Sequence, residues 1–185
     1  MAKKHHVPHV FKEDMLYNGT VLDWYSQGQF KATSGLVGYQ NASFQTTVDH
    51  GPIPEGLYSF PLHVAKDATM VSPSGDLDQR EGVEHIPDTI TGFGKTYSFP
   101  GWGPDRVRLS TIHIKDVKAR HRGGFYLHDS HKGYSHGCIE VAAMFFGKLR
   151  LYINLPANKR AGKTRLYLKV QYPSPTADTN GGTKY

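Results

Sequence analysis

The single cysteine of the chain, Cys138, lies in the run Phe125-Tyr126-Leu127-His128-Asp129-Ser130-His131-Lys132-Gly133-Tyr134-Ser135-His136-Gly137-Cys138-Ile139-Glu140-Val141. A thiol is a good nucleophile only as thiolate, and an ordinary cysteine is a few per cent ionised at neutral pH. An imidazole within reach can take the proton and then hold the thiolate as its counter-ion. Three histidines, His128, His131 and His136, lie within ten positions of Cys138. Gly137 removes a side chain directly before the sulfur, so a substrate carbonyl can approach the backbone there. A helix beginning near Ile139 or Glu140 would place Cys138 at its N-terminus, where unpaired N–H groups favour an anion and can hold an oxyanion. The segment therefore offers a nucleophile, a base and oxyanion donors for acyl transfer.

Two other chemistries are open to the same residues. A lone cysteine is often a small buried hydrophobe in a turn, with the histidines merely exposed around it. A zinc peptidase or amidase is the other. His113, His121, His128, Asp129, His131 and His136 are possible ligands, but there is no His-Glu-x-x-His and no spacing of a known zinc pattern. A thiol enzyme is lost to iodoacetamide, a zinc enzyme to a chelator.

The elements that must position these residues read mainly as strands. Residues 1–13 form a terminal arm carrying His5, His6 and His9, which could bind metal weakly. Met15–Tyr17 and Val21–Tyr25 flank Asn18-Gly19, the strongest short hairpin signal because both turn positions need positive φ. Ser26-Gln27-Gly28-Gln29 turns again into Phe30–Thr33. Gly51-Pro52-Ile53-Pro54-Glu55-Gly56 fixes the chain before a strand at Leu57–Phe60. Residues from about 66 to 95 are polar and aperiodic, a long loop or small insertion that could flank or cover a site. Val107–Ile114 alternates as one strand, and Phe125–Leu127 as a short one ending at His128. Glu140–Leu149 is the best helix candidate, with Val141, Met144, Phe145 and Leu149 at helical spacing. Leu151–Leu155 and Arg165–Tyr172 read as closing strands, and 173–185 as a disordered polar tail. The fold class is mainly β with one or two short helices, in one catalytic domain spanning 14–172.

The chain has 185 residues, a net charge of +6 and 38% hydrophobic residues, enough for one core without staples. One cysteine excludes an internal disulfide. The positive charge suits a polyanionic partner, whether nucleic acid, acidic lipid or cell wall, and charge alone does not choose among them. No nucleic-acid-binding pattern is present, and no apolar run approaches the length of a membrane span. The N-terminal residues lack the apolar stretch of a signal peptide, so a protein working outside the cytoplasm would be delivered by another route.

Ser135-His136-Gly137-Cys138-Ile139 resembles the Ser-His-Gly-Cys motif of the YkuD-type L,D-transpeptidases, which pair the cysteine with an upstream histidine at a strand end, the place of His128 here. The short spacing between the two resembles more closely the L,D-transpeptidase-like effectors of type VI secretion. Gly51 to Tyr58 is similar to a Pro/Gly segment that leads into a core strand of that superfamily, as are Tyr17-Asn18-Gly19, Trp24-Tyr25 and Ser34-Gly35 to its opening meander. Together the resemblance covers about residues 15–172. It implies an L,D-transpeptidase-like β-sandwich or meander with the cysteine at a turn before a helix. Cys138 would be the nucleophile, His128 the general base and then acid, and the N–H groups of Gly137 and Cys138 the oxyanion donors. Ser135, His136, Tyr134 and Asp129 would line or support the substrate site. Asp129 or Ser130 could orient His128 or cap the turn. The implied substrate is a tetrapeptide stem of peptidoglycan, cut or exchanged through a thioester without metal or organic cofactor. Implied partners are a cognate immunity protein and a secretion-system component, with synthesis in a bacterial cytoplasm and action in the periplasm. Many relatives carry Arg after the motif where this chain has Glu140. Lys132, Arg120 or Arg122 could replace it toward a substrate carboxylate, and a catalytically inactive wall-binding protein is the alternative this departure leaves open.

Overall fold

The computed structural model describes residues 12–184 except 157, 158 and 160. Most of the expected N-terminal arm, with His5, His6 and His9, lies outside the described residues. The chain begins with a meander. Strands β1 (Met15–Tyr17) and β2 (Val21–Trp24) form a hairpin, then β3 (Gly28–Ser34) pairs antiparallel with β2. The hairpin expected at Asn18-Gly19 forms, with positive φ at Gly19 but not at Asn18. Gly19 takes φ +115°, and Asn18 Oδ1 accepts from the N–H groups of Thr20 and Val21.

After the Pro-rich turn come β4 (Gly56–Pro61), β5 (Val83–His85), β6 (Thr89–Gly92), β7 (Lys95–Ser98), β8 (Asp105–Arg108), β9 (Ser110–Ile114), β10 (Tyr126–His128) and β11 (Ile139–Val141). Helix α1 (Met144–Ile153) and strand β12 (Arg165–Val170) follow. Ten strands form one sheet in the order β5-β8-β10-β11-β3-β2-β1-β12-β4-β9, and β6 and β7 pair separately. Among the described strands only β1–β12 and β10–β11 pair in parallel. Expected as one strand, Val107–Ile114 is split at Leu109. β8 pairs with β10 and β5, whereas β9 pairs with β4 at the other end of the sheet. One short stretch of chain thus belongs to both ends, so the sheet curls on itself around a single core.

The helix differs from expectation. Ile139, Glu140 and Val141 are strand residues, paired with Ser34, Thr33 and Ala32 of β3. The chain leaves the sheet at Ala142, and α1 starts at Met144. Its buried face is Phe145, Phe146 and Leu149. Phe145 packs on Trp24 and Phe30 with ring centroids 5.8 and 5.4 Å apart, and each buried ring is worth roughly 1.5–3 kcal/mol. The helix continues to Ile153, through residues read as the start of a closing strand, and Leu151 is exposed.

Two further segments are more ordered than their composition suggests. The 66–95 region holds β5, β6 and much of a second apolar cluster of Ala68, Val71, Leu77, Ile86 and Ile90, against which Tyr97, Phe99 and Trp102 pack. The tail from 173, read as disordered, lies on the sheet. Thr179 and Thr183 are fully buried, and Asn180 bridges to Thr33. Among the described residues no helix is long and apolar enough to cross a membrane.

Candidate active site

The parallel pairing of β10 with β11 sets Leu127 beside Ile139 and His128 beside Glu140. Side chains alternate along each strand, and paired residues share a face. Leu127, Ile139 and Val141 therefore enter the core, while Tyr126, His128, Cys138 and Glu140 occupy the opposite face. His128 and Cys138 meet there as lining residues of one cleft of about 290 Å³, together with Gly101, Trp102, Lys132, Ser135 and His136. Cys138 is 9% exposed and His128 2% exposed, so the chemistry lies at the cleft floor.

Cys138 is placed by the turn before β11 and not by a helix end, so the helix dipole expected there is absent. Gly137 takes φ +99°, in the left-handed region, and a Cβ on it would come within 2.6 Å of Arg122 Nη2. Among the described residues the N–H groups of Gly137 and Cys138 enter no loop or turn backbone hydrogen bond. The Cys138 carbonyl accepts from Ser34 Oγ (2.7 Å) and Ser135 Oγ (2.5 Å), which pins the turn to β3. Ser135 thus fixes the backbone of Cys138 as well as lining the cleft.

His128 stands against the Trp102 ring, edge to face at 5.6 Å. Its Nδ1 is buried without a hydrogen-bond partner among the described residues. Among the described residues no hydrogen bond joins His128 to Asp129 or Ser130. Asp129 is buried, accepts from the Asp105 N–H at 2.9 Å, and so anchors the segment that carries Trp102. Burial, partly opposed by that bond, pushes its carboxyl up to about 6. His136 is exposed and bonds the Asp49 carbonyl through Nδ1. Tyr134 lies outside the cleft lining, beneath the Lys132 ammonium at 4.7 Å.

Glu140 is the residue whose role the sequence left open. It is fully buried, and its carboxylate accepts from Ser130 Oγ, the Lys132 N–H (2.9 Å), the Gly133 N–H (2.7 Å) and Thr183 Oγ1 (2.5 Å). Burial alone would raise its pKa, but these bonds outweigh it and hold the carboxyl below the usual range. Glu140 organises the 130–133 loop between the two strands and keeps a negative charge beside His128.

Three cations surround the sulfur. Arg122 donates to the carbonyls of Gln45, Pro52 and Gly51 at 2.6, 2.6 and 2.9 Å, a buried strut behind Gly137 and not a substrate contact. Arg106 pairs with Glu84 at 2.6 Å and stacks under Trp102 and Tyr126. Lys132 is in the cleft itself. Arg120 donates to the Ile114 carbonyl away from it. Sequence reasoning missed Trp102 and Arg106. The lone tryptophan in Pro100-Gly101-Trp102-Gly103-Pro104 was the available signal.

Burial dominates the titration of the pair. It pushes the Cys138 thiol up to about 11, against the Tyr126 backbone bond, Lys132, Arg106 and Arg122. It drives the His128 imidazole down to about 3, against the pull of Glu140. Burial thus favours a neutral thiol beside a neutral imidazole. Alkylation of Cys138 by iodoacetamide, followed by intact mass, is expected to be slow at pH 7. It should rise about tenfold per pH unit up to pH 10, since thiolate is the reacting form. A rate already flat above pH 7 would mean a preformed ion pair.

Among the described residues no three His, Cys, Asp or Glu side chains gather as a metal site. In comparison with known proteins, the chain matches no protein-family model and no curated sequence.

Proposed function

We propose that the protein is a cysteine acyl-transfer enzyme of the L,D-transpeptidase type acting on peptidoglycan stem peptides, with the curled sheet as its version of that fold. The observation that carries the reading is the meeting of Cys138 and His128 on the floor of one cleft, from neighbouring parallel strands. The resemblance around Ser135-His136-Gly137-Cys138 supplies the substrate class.

In this mechanism Cys138 passes its proton to His128 as sulfur attacks the carbonyl carbon of the L,D-amide. The N–H groups of Gly137 and Cys138 face the developing oxyanion. Collapse breaks the C–N bond, and the His128 imidazolium protonates the leaving amine of D-alanine. The Glu140 charge stabilises that imidazolium, and Trp102 holds the ring and keeps water from it. Water or an amine then attacks the thioester with His128 again as base, giving a shortened stem or an exchanged or cross-linked one, and the thiol is restored. By the effector resemblance this takes place in the periplasm of a target cell, opposed by an immunity protein in the producer.

The test is mass spectrometry of purified tetrapeptide muropeptides incubated with wild type and Cys138→Ala. Wild type is expected to release D-alanine or exchange it, the variant neither. Turnover by Cys138→Ala, or turnover abolished by chelator and untouched by iodoacetamide, would reject the thiol mechanism.

A further inference from the structure

The register of five neighbouring strands sets one row of side chains across the sheet. Glu84 of β5 pairs with Arg106 of β8, Arg106 with His128 of β10, His128 with Glu140 of β11, and Glu140 with Thr33 of β3. Paired residues share a face, so His128 stands in line between a cation and an anion. None of the five is more than 2% exposed. The adjoining row on the same strands, Val83, Val107, Leu127 and Ile139, is apolar and lies in the core.

Buried ions are expensive, and an apolar pair of similar volume in place of Glu84 and Arg106 would hold the sheet as well or better. The pair is also incompletely satisfied. Glu84 Oε1 accepts from Arg106 Nε at 2.6 Å, but Glu84 Oε2 is buried with no partner among the described residues. Neither residue lines the cleft. What the guanidinium does hold is an aromatic group. Its central carbon lies 4.6 Å from the centre of the Trp102 ring and 5.0 Å from that of Tyr126. The Trp102 ring in turn stands edge to face on Tyr126 at 4.9 Å and on His128 at 5.6 Å.

A histidine base is usually oriented by a hydrogen bond to its second ring nitrogen. His128 Nδ1 is buried and has no such partner among the described residues, so packing has to orient the ring. Glu84 fixes the guanidinium, the guanidinium seats the indole, and the indole bounds the imidazole. The charges in the row also oppose each other at His128. Glu140 favours the imidazolium, while Lys132, Arg106 and His131 disfavour it.

We propose that Arg106, held by Glu84, is a positioning residue for acyl transfer, seating Trp102 against His128 so that the imidazole keeps one orientation toward Cys138. It acts through Trp102 and not on the substrate. This rests on His128 serving Cys138 as base, but not on the substrate being peptidoglycan.

The double variant Glu84→Met/Arg106→Met leaves no lone buried ion and is expected to melt close to the wild type. Two readouts then separate positioning from stability. The first is the nuclear Overhauser contact between the Trp102 indole and the His128 ring, the latter identified by its loss in His128→Asn. It should be present in the wild type and lost in the double variant. The second is muropeptide turnover, in which kcat should fall about tenfold and KM stay within about twofold, because the loss is of orientation at the reacting centre. Arg106→Lys keeps a cation for Glu84 but not the planar stack, and should melt like the wild type with a weakened contact and a lower kcat. A wild type without the contact, or a folded double variant that keeps both contact and kcat, overturns the proposal. So does a kcat that falls only as the folded fraction falls. If the double variant fails to fold, Arg106→Lys decides, and an unchanged contact and kcat in it overturn the proposal. If the wild type turns over no muropeptide, the substrate reading fails, and the Overhauser contact alone decides the role of Arg106.

Discussion

Glu140→Arg is expected to abolish cooperative folding. Four donors converge on the Glu140 carboxylate: Ser130 Oγ, the N–H groups of Lys132 and Gly133, and Thr183 Oγ1. A guanidinium offers none of them an acceptor. Each stranded donor costs about 1–3 kcal/mol, and an uncompensated buried charge about 3–5 kcal/mol more. A domain has roughly 5–15 kcal/mol of stability in all, so the sum is enough to unfold it. The measurement is urea denaturation followed by tryptophan fluorescence. Glu140→Gln keeps the shape and one acceptor oxygen and should remain folded, with a lower midpoint. A Glu140→Arg protein with the wild-type midpoint would show that the four bonds do not hold the loop.

Deletion of residues 174–185 is expected to cost several kcal/mol of stability and all turnover. Thr179 exchanges hydrogen bonds with Ser34, accepting from its N–H at 2.9 Å and donating to its carbonyl at 2.7 Å. Its N–H donates to the Gln40 carbonyl, and the Gly181 N–H donates to Thr33 Oγ1. At about 1 kcal/mol net per bond these sum to several kcal/mol before the loss of Thr183 from Glu140. Ser34 also donates to the Cys138 carbonyl, so the tail braces the strand that braces the nucleophile. Thermal melts and muropeptide turnover of the truncated chain are the readouts. A truncated protein with unchanged melting and activity would return the tail to the disordered reading.

That contrast marks where sequence reasoning works for this chain. Asn18-Gly19 was readable because its geometry is local, and His128 at a strand end was readable from Phe125-Tyr126-Leu127. The tail was not, because its order comes from partners more than a hundred residues away, such as Thr33 and Ser34. Val141, Met144, Phe145 and Leu149 do sit at helical spacing, yet β3 claims Val141 for the sheet first. The exposed Met144 then opens a helix whose buried face is Phe145, Phe146 and Leu149. Alternation along Val107–Ile114 could not disclose the corner at Leu109, since both halves alternate. In the structure His128, Ser135, His136 and Cys138 line one cleft, and Gly137 sits in the turn before Cys138. Asp129 and Glu140 hold the surrounding loops instead, Tyr134 lies outside the cleft lining under Lys132, and the tryptophan against His128 arrives from a segment with no sequence periodicity.

The pairing of Leu127 with Ile139 and of His128 with Glu140 has a kinetic corollary. Sliding one strand past the other by a single residue would carry the sulfur into the oily interior and turn Ile139 out to water. If Cys138 and His128 act as proposed, a molecule refolded with that slip is inert however compact it is. Catalytic competence during refolding therefore counts only chains whose two strands have locked in step, and it serves as a clock for that one event.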